Sequence, residues 1–280
     1  MVCVWGKEPC FRPVFRWLSS TKNVSCGGLC VANQPRNTGQ NCSINSFTIT
    51  YREIYGKITY KILNFVSDLR KSSNIRMKKI VSDLLVTESV LLREDYVLLK
   101  LTADRDELPE VLPGQFVEVR VDDSPSTFLR RPISINFVIP EKNEIWLLVH
   151  AVGDGTKKMA MLKAGDRLNC MLPLGRGFSL PEGEGRRVLL VGGGVGTAPL
   201  LYLGKCLKNA GHHPTFLLGG RSAADILQVE LFEAYGPVCI TTEDASRGEK
   251  GFVTNHSVLS SERFDAIASC GPKPMMKAVA

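Results

Sequence analysis

The chain of 280 residues has no apolar run that approaches the roughly 18 residues needed to span a bilayer. Its N-terminus also lacks an apolar stretch followed by a small-residue cleavage site, which argues against a secretory signal. The nine cysteines show neither paired metal-ligand spacing nor a disulfide framework, a pattern that suits a reducing cytoplasm. We therefore expect a cytoplasmic protein without a membrane segment or a metal site.

Acidic residues are scarce only at the start of the chain. Lys and Arg number 35 against 28 Asp and Glu, but residues 1–76 hold 11 of the basic and 3 of the acidic side chains. The rest is nearly neutral, so the net charge of +7 does not indicate nucleic-acid binding.

Residues 1–76 also lack sustained hydrophobic periodicity, and they hold five of the nine cysteines. We interpret them as a non-native or disordered N-terminal extension, with Met77 as the natural start. An organelle transit peptide is the alternative, although no amphipathic helix bearing arginines is visible.

Residues 77–182 are predicted to form an antiparallel β-barrel. Short β-rich runs such as DYVLLKLTA and EIWLLVHAV are separated by Gly, Pro, Asp and Asn at the spacing of such a barrel. The run FLRRPISINFV contains Pro132, which cannot donate to a β-ladder, so this strand should lie at an edge or be interrupted there. Arg131 and Ser134 are then able to face a ligand, and a guanidinium binds phosphate oxygens in a forked geometry. A solvated arginine on an edge strand is the alternative.

A second candidate phosphate site follows about 20 residues later in LLVHAVGDGTKKMA. A strand runs into Gly155, and a helix is predicted to begin at about Thr156. The N–H groups and the dipole of a helix N-terminus attract anions. An ordinary threonine N-cap is the alternative, but two such features in one small barrel favour a cofactor.

Residues 183–280 are predicted to form a doubly wound parallel α/β domain that binds a nucleotide. In RRVLLVGGGVGTAPLL, an apolar strand at residues 188–191 is followed by a glycine turn and a helix from about Ala198. This order suits a dinucleotide pyrophosphate, although the spacing is not G-x-G-x-x-G. Later strands also end in small or polar residues, the last at Cys270, as at the ligand-binding edge of an open sheet.

Together these motifs resemble the ferredoxin–NADP reductase superfamily and, within it, the electron-transfer subunits of the dihydroorotate dehydrogenase B type. The motifs RRPISI, VGDGT, PLGRGF, VGGGVGTAPL, LGGRSAADI and CGPKPMM occur in the family's order between Met77 and Ala280. The resemblance implies FAD contacts at Arg131, Pro132, Ile133 and Ser134, at Leu148, Val149 and His150, and at Gly155 and Thr156. It implies NAD contacts at Gly192, Gly193, Gly194, Gly196 and Thr197, and it places Cys270 near the nicotinamide.

The resemblance also implies a heterotetramer with an FMN-containing dihydroorotate dehydrogenase catalytic subunit, in pyrimidine biosynthesis. Electrons would pass through a 2Fe-2S cluster and FAD to NAD. The flavin would supply the chemistry, so no residue is assigned a catalytic role. The family carries its cluster cysteines downstream of CGPKPMM, where this chain ends, so we expect a C-terminally truncated chain without cluster ligands. His150 stands where many relatives have arginine.

Several alternatives stay open at this point. The chain could be a ferredoxin or flavodoxin–NAD(P) reductase, a subunit of another NAD(P)H-dependent flavin oxidoreductase, or a flavin-binding regulatory subunit without turnover. Arg221 could meet the 2′-phosphate of NADP, whereas the resemblance favours NAD. Cys270 could also be a small apolar filler with a buried thiol.

The change in charge, cysteine content and hydrophobic periodicity at Met77 leads to a first prediction. A chain that starts at Met77 should keep the flavin content and the melting temperature of the full chain, because residues 1–76 share no pattern with the barrel. Absorbance of the bound flavin and a thermal melt measure the two quantities. A fall of more than a few degrees would mean that the extension packs on the folded part.

Overall fold

The computed structural model describes residues 2–6, 78–122, 124 and 126–280. The predicted N-terminal extension lies outside these ranges, except for strand β1 (Val2–Gly6). Strand β1 and the residues from 78 onward belong to one compact unit, in which an antiparallel barrel is followed by an open sheet.

Six antiparallel strands close into the barrel, and alternate residues of each strand fill its core. Leu84 and Val86, and likewise Leu99 and Leu101, are fully buried two positions apart, as the pleat of a strand requires. The strands are β2 (Ile80–Arg93), β3 (Tyr96–Thr102), β4 (Phe116–Val119), β5 (Arg131–Ile139), β6 (Glu144–His150) and β7 (Arg167–Leu174). They are joined in the order β2-β3-β6-β5-β4-β7.

Strands β5 and β6 separate at one end of the barrel. Their pairing begins at Ile135 and Leu147, although β5 starts at Arg131 and β6 runs on to His150. Among the described residues, 131–134 pair only with β4 and 148–150 pair only with β3. Pro132 lies in this half-paired stretch, in agreement with the prediction of an edge or an interruption there. The two separated ends border a gap in the barrel wall.

Helix α1 (Asp154–Ala160) follows β6 and starts two residues before the predicted position. Its N-cap is Gly153, and Thr156 lies inside the first turn. The Thr156 hydroxyl oxygen accepts hydrogen bonds from the N–H groups of Val152 and Gly153, both at 3.1 Å. Thr156 thus satisfies backbone donors just before the helix, from within it.

The second half is a six-stranded sheet with helices on both faces. Its further strands are β8 (Arg187–Gly193), β9 (His213–Gly220), β10 (Val238–Thr242), β11 (Glu249–Lys250) and β12 (Ala266–Gly271). The helices are α2 (Ala198–Asn209), α3 (Val229–Glu233), α4 (Val258–Ser261) and α5 (Lys273–Val279). The strand order is β1-β12-β8-β9-β10-β11, and all neighbours are parallel except β1 and β12.

Successive residues of the central strands supply two separate cores. Leu190 of β8 and Phe216 of β9 pack with α2 on one face, whereas Leu189 and Leu217 pack with Val258 on the other. Strands buried on both faces read as continuous apolar runs, which is why residues 188–191 show no alternation. The predicted fold class, a barrel followed by a doubly wound parallel α/β domain, is confirmed.

The strand order contains a switch point. From β8 the chain moves outward through β9, β10 and β11, and it then returns to β12 on the other side of β8. Loops that leave β8 and β12 therefore diverge and open a crevice at the carboxyl ends of these strands, where open α/β sheets bind ligands.

Strand β1 pairs with β12 along its whole length, from Val2 opposite Gly271 to Gly6 opposite Ile267. This contact was not foreseen from the sequence. Deleting residues 1–76 also removes this edge strand, so an unchanged melting temperature requires β12 to tolerate an open edge.

None of the helices in the described part of the chain is long and apolar enough to cross a membrane.

Close packing of α2 on β9 generates a second prediction. A Cβ added to Gly204 would lie 2.3 Å from Cζ of Phe216, which is fully buried. Gly204→Ala should destabilise the protein by about 1–2 kcal/mol, because the overpacking exceeds the helix propensity that alanine adds. Urea denaturation measures the change. Gly153→Ala is the comparison without a steric clash, because a Cβ there meets nothing within 4 Å, and it should cost only the smaller loss of a glycine N-cap. Equal stability of the two variants would contradict the prediction.

Candidate functional site

A cleft of about 810 Å³ opens at the switch point between the barrel and the sheet. Its barrel wall consists of Arg93, Tyr96 and His150, and its floor includes residues 193–196 and Gly271. At the far end it is lined by Gly219, Gly220, Arg221, Thr241, Glu243 and Phe252. This volume lies in the range of small-molecule and cofactor sites.

The glycine loop on the floor owes its shape to backbone contacts. A Cβ on Gly196 would lie 2.4 Å from Cα of Gly271 and 2.5 Å from the carbonyl oxygen of Cys270. Any other residue would therefore push the 3₁₀ turn Gly194–Thr197 away from β12. The Thr197 hydroxyl donates to the Gly194 carbonyl at 3.0 Å and closes the turn.

Gly192 and Gly193 leave room for neighbouring elements rather than for a ligand. A Cβ on Gly192 would collide with Thr197 and Leu200 at the start of α2, and one on Gly193 would lie 2.7 Å from Sδ of Met275. By contrast, Gly194 has a φ of +55° and open space at its Cβ position. Gly194 is therefore the loop residue that offers the cleft an uncovered backbone.

The two phosphate-binding features predicted in the barrel lie side by side. A Cβ on Gly155 would be 3.3 Å from Cγ and 3.4 Å from Nε of Arg131. The Arg131 side chain thus lies against the first turn of α1, beside the gap between β5 and β6. Segments 131–134, 148–150 and 155–156, separate in the sequence, border one region.

Other predicted FAD residues differ in what they can offer a ligand. Ile133 and Val149 point into the barrel core, and Leu148 packs against Ala198 of the sheet half. Only the backbone of these three residues is available to a cofactor. Ser134 is half-buried, and Pro132 is exposed.

The Cys270 side chain does not line the cleft. It is fully buried in the core between the sheet and α2, and Gly271 and Pro272 line the cleft beyond it. This burial is what the alternative interpretation, a small apolar filler with a buried thiol, expected.

A charged cluster on the barrel wall was not recognised from the sequence, apart from His150. Arg93 binds Asp95 at 2.5 Å and Asp225 of the sheet half at 2.6 Å. Asp95 also lies 2.9 Å from Nε2 of His150, whose ring stacks on Tyr96 with centroids 4.2 Å apart. Arg93 and Asp225 are 132 residues apart, and no sequence spacing links them.

The electrostatics of this cluster keep its carboxylates ionised. The Arg93 hydrogen bond, followed by that of His150, holds the pKa of Asp95 well below its usual range. Burial acts to raise the pKa of Asp225, but the hydrogen bonds from Arg93 and the Ser222 N–H outweigh it and lower that pKa. The Arg93 pKa is raised by the same carboxylates.

Asp225 also shapes the loop after β9. Its second carboxylate oxygen accepts the N–H of Arg221 at 3.1 Å and of Ser222 at 2.9 Å. The backbone of Arg221, which the sequence left open as a partner for a 2′-phosphate, is thereby linked through Asp225 to Arg93 on the barrel.

One buried hydroxyl at the far end of the cleft is unsatisfied. Thr241 is fully buried and lines the cleft, and its Oγ1 has no hydrogen-bond partner among the described residues. An unpaired buried hydroxyl costs free energy, so such groups commonly mark the position of a ligand or water. Sequence patterns contain no signal for it.

No protein-family model matches the chain. Among curated proteins, the chain is 40% identical over 183 residues to the dihydroorotate dehydrogenase B (NAD⁺) electron transfer subunit of Lysinibacillus sphaericus, covering 65% of this chain and 71% of that protein. It is 37% identical over 204 residues to the corresponding Fusobacterium nucleatum subunit, covering 71% of this chain and 78% of that protein. The chain belongs to the family of dihydroorotate dehydrogenase B electron-transfer subunits. The predicted resemblance is confirmed.

The curated members of this family are named as electron transfer subunits of dihydroorotate dehydrogenase B (NAD⁺). The family member from Shouchella clausii is 46% identical over 168 residues, which are 60% of this chain and 65% of that protein. This chain thus matches less than two thirds of that relative's length.

Solved structures confirm the ferredoxin reductase-like fold of this family member. The NADH-dependent reduced ferredoxin–NADP oxidoreductase superposes with a TM-score of 0.61 at 30% identity, over 70% of each chain. The cytochrome b5 reductase domain of Ulva prolifera nitrate reductase gives a TM-score of 0.58 at 19% identity, over 71% of this chain and 89% of that one. The second likeness concerns the fold alone.

The Arg93 cluster generates a third prediction. Arg93→Gln should destabilise the protein by about 1–2 kcal/mol at pH 7, because the Arg93 and Asp225 side chains are only 25% and 13% exposed. Arg120→Gln, which breaks an exposed pair with Asp122, is the control and should change little. Urea denaturation from pH 7 to pH 3 measures both.

The pH dependence has a definite sign. Because the folded-state pKa values of Asp95 and Asp225 are lowered, the stabilisation is complete above the unfolded carboxylate pKa of about 4 and is lost below it. The difference between the native chain and Arg93→Gln should therefore be constant from pH 7 to pH 5 and shrink below pH 4. A difference that grows in acid would contradict this assignment.

Proposed function

We propose that the chain is the electron-transfer subunit of a dihydroorotate dehydrogenase B, which binds FAD on its barrel and NAD in the switch-point cleft. In this proposal residues 77–182 form the FAD domain and residues 183–280 the NAD domain. The observation that carries it is the adjacency of two sites: the gap between β5 and β6 and the glycine-floored cleft share the wall that contains His150.

FAD fits the barrel side. Arg131 and the first turn of α1 converge beside the gap, and together they can hold a pyrophosphate, since guanidinium and backbone N–H groups both donate to phosphate oxygens. The backbones of residues 131–133 and 148–150, each paired with one neighbouring strand, border the gap in which a flavin ring would lie. FAD, when bound, supplies the electron chemistry, and these residues bind and orient it.

NAD fits the cleft. Within the loop from Gly192 to Thr197, Gly194 provides uncovered backbone for a pyrophosphate at the switch point. Thr241 provides an unsatisfied hydroxyl at the far end. The names of the curated relatives specify NAD⁺. Glu243, which also lines the cleft, favours NAD over NADP, because a carboxylate accepts ribose hydroxyls and repels a 2′-phosphate.

The partner in this proposal is the FMN-containing catalytic subunit that oxidises dihydroorotate in pyrimidine biosynthesis, within a heterotetramer. FAD, when bound on this chain, would pass the two electrons of that oxidation to NAD⁺ as a hydride, and the second proton of dihydroorotate would be released to water. The described residues do not fit a 2Fe-2S cluster, since no three His, Cys, Asp or Glu side chains come together there. The proposal therefore assigns no step to a cluster in this chain.

A ferredoxin–NAD(P) reductase is the second candidate. The 30% identity to the NADH-dependent reduced ferredoxin–NADP oxidoreductase supports it. Two assays separate the two: binding of the FAD-loaded chain to a dihydroorotate dehydrogenase catalytic subunit, measured by size-exclusion chromatography, supports the proposal. Anaerobic reduction of ferredoxin by NADH through the chain, without such binding, supports the alternative.

Flavin binding generates a fourth prediction. The purified chain should be yellow, and mass spectrometry of the released cofactor should identify FAD rather than FMN. Arg131→Ala should weaken FAD binding by about 1.5–3 kcal/mol, or roughly ten- to hundredfold in Kd, because a charged hydrogen-bond donor is lost. Arg120→Ala, which removes another barrel arginine, is the control and should keep the native Kd. Native FAD affinity in Arg131→Ala would disprove the assignment of this residue.

A further inference from the structure

Asn136 is a polar side chain buried at the boundary between the two halves. It is fully buried, although it lies on the outer face of β5. Its neighbours Ile133 and Ile135 point into the barrel core, so Ser134 and Asn136 share the opposite face. Asn136 is therefore two residues from Ser134, on the side of the strand that meets the sheet half.

The Asn136 amide makes three hydrogen bonds to the sheet half. Its Nδ2 donates to the Ala198 carbonyl at 3.0 Å and to Oε1 of Gln228 at 3.2 Å. In return, Nε2 of Gln228 donates to Oδ1 of Asn136 at 3.1 Å. This exchange requires a donor and an acceptor on both side chains, so neither a carboxylate nor an apolar residue can reproduce it.

The position of Ala198 links this contact to the proposed NAD site. Ala198 is the first residue of α2 and directly follows the turn Gly194–Thr197. Asn136 thus connects the strand that carries Ser134 to the end of the glycine loop. One side chain spans from the proposed flavin segment to the proposed pyrophosphate loop.

Gln228 is held in an unfavourable backbone conformation. Its φ of 58° and ψ of 28° lie in the left-handed region, which costs free energy for a residue other than glycine. Such a conformation persists where surrounding contacts hold it in place. Here the two hydrogen bonds between the Gln228 and Asn136 amides hold it. The segment before it is also held, since Asp225 binds Arg93 of the barrel at 2.6 Å.

Two other hydrogen bonds between the halves lie away from the glycine loop. The Tyr202 hydroxyl donates to the Val111 carbonyl at 3.2 Å, and Nζ of Lys205 donates to the Val138 carbonyl at 3.0 Å. Both come from later turns of α2. They hold the halves together without touching the residues that would contact FAD or NAD.

We infer that Asn136 and Gln228 are positioning residues that set the register between the flavin segment and the glycine loop. This inference rests on the proposed function for its consequence, which is the rate at which NADH reduces FAD. Displacing reacting groups by about 1 Å can cost about a hundredfold in rate, so a loosened register should slow electron transfer more than it weakens binding.

The first measurement needs no cofactor. Amide hydrogen exchange in residues 192–198 reports local opening of the glycine loop. Asn136→Leu should raise exchange there by about tenfold or more, whereas Tyr202→Phe, the matched control at another inter-half hydrogen bond, should leave it unchanged. Should Asn136→Leu not fold, Gln228→Ala tests the same pair from its half-buried side.

The second measurement uses the FAD-loaded chain. In stopped-flow mixing with saturating NADH, FAD bound to the Asn136→Leu variant should be reduced at least about tenfold more slowly than FAD bound to the native chain. The variant should also lose the long-wavelength charge-transfer absorbance of stacked nicotinamide and flavin. FAD affinity should be native. The exchanged double variant, Asn136→Gln with Gln228→Asn, keeps both amides and should recover the rate and the absorbance, which a loss of general stability would not predict.

The outcomes separate this inference from the proposed function. If NADH does not reduce the native chain, the proposed function fails, and amide exchange alone decides whether the pair positions the loop. If the native chain is reduced but Asn136→Leu shows native exchange and a native rate, the inference is overturned. Equal effects from Tyr202→Phe would also overturn it, because the pair would then be one general contact among several.

Discussion

The contact between the barrel and the parallel sheet is the constraint on which both candidate sites depend. It combines an apolar cluster around Tyr96, Leu148 and Ala198 with the Arg93–Asp225 ion pair and the Asn136 amide. Apolar contacts tolerate sliding, since the hydrophobic effect has no direction, whereas charged and amide hydrogen bonds fix distance and angle. The polar contacts therefore decide how the flavin gap faces the cleft.

The barrel wall of the cleft contributes charged side chains, whereas its floor contributes backbone groups. Arg93 binds both Asp95 and Asp225 and offsets one of their two negative charges, which lessens the repulsion of the anionic dinucleotide proposed for the site. The floor contributes backbone, because Gly196 brings its turn into contact with β12 and leaves Gly194 open. In the proposed function, backbone N–H groups of this loop bind the phosphates, and the loop itself contains no lysine or arginine.

Sequence patterns predicted the features that depend on local chemistry. Apolar runs bounded by turn residues indicated the strands, and glycines after residues 188–191 indicated the loop and the helix from Ala198. Pro132 indicated the half-paired start of β5 through its missing N–H. The start of α1 was two residues off, because Gly153 forms the N-cap while Thr156 binds it from inside the helix.

The sequence by itself determined the plan of a barrel followed by an open α/β sheet, since strand periodicity, glycine turns and proline act over a few residues. Only the tertiary structure decided which side chains meet. It buried Cys270 below the cleft, joined Arg93 to Asp225 and paired Asn136 with Gln228, whose positions lie 92 residues apart. The physical reason is that these contacts depend on how the barrel and the sheet pack. The partners of such a hydrogen bond are distant in the sequence, so no periodic pattern along the chain predicts it.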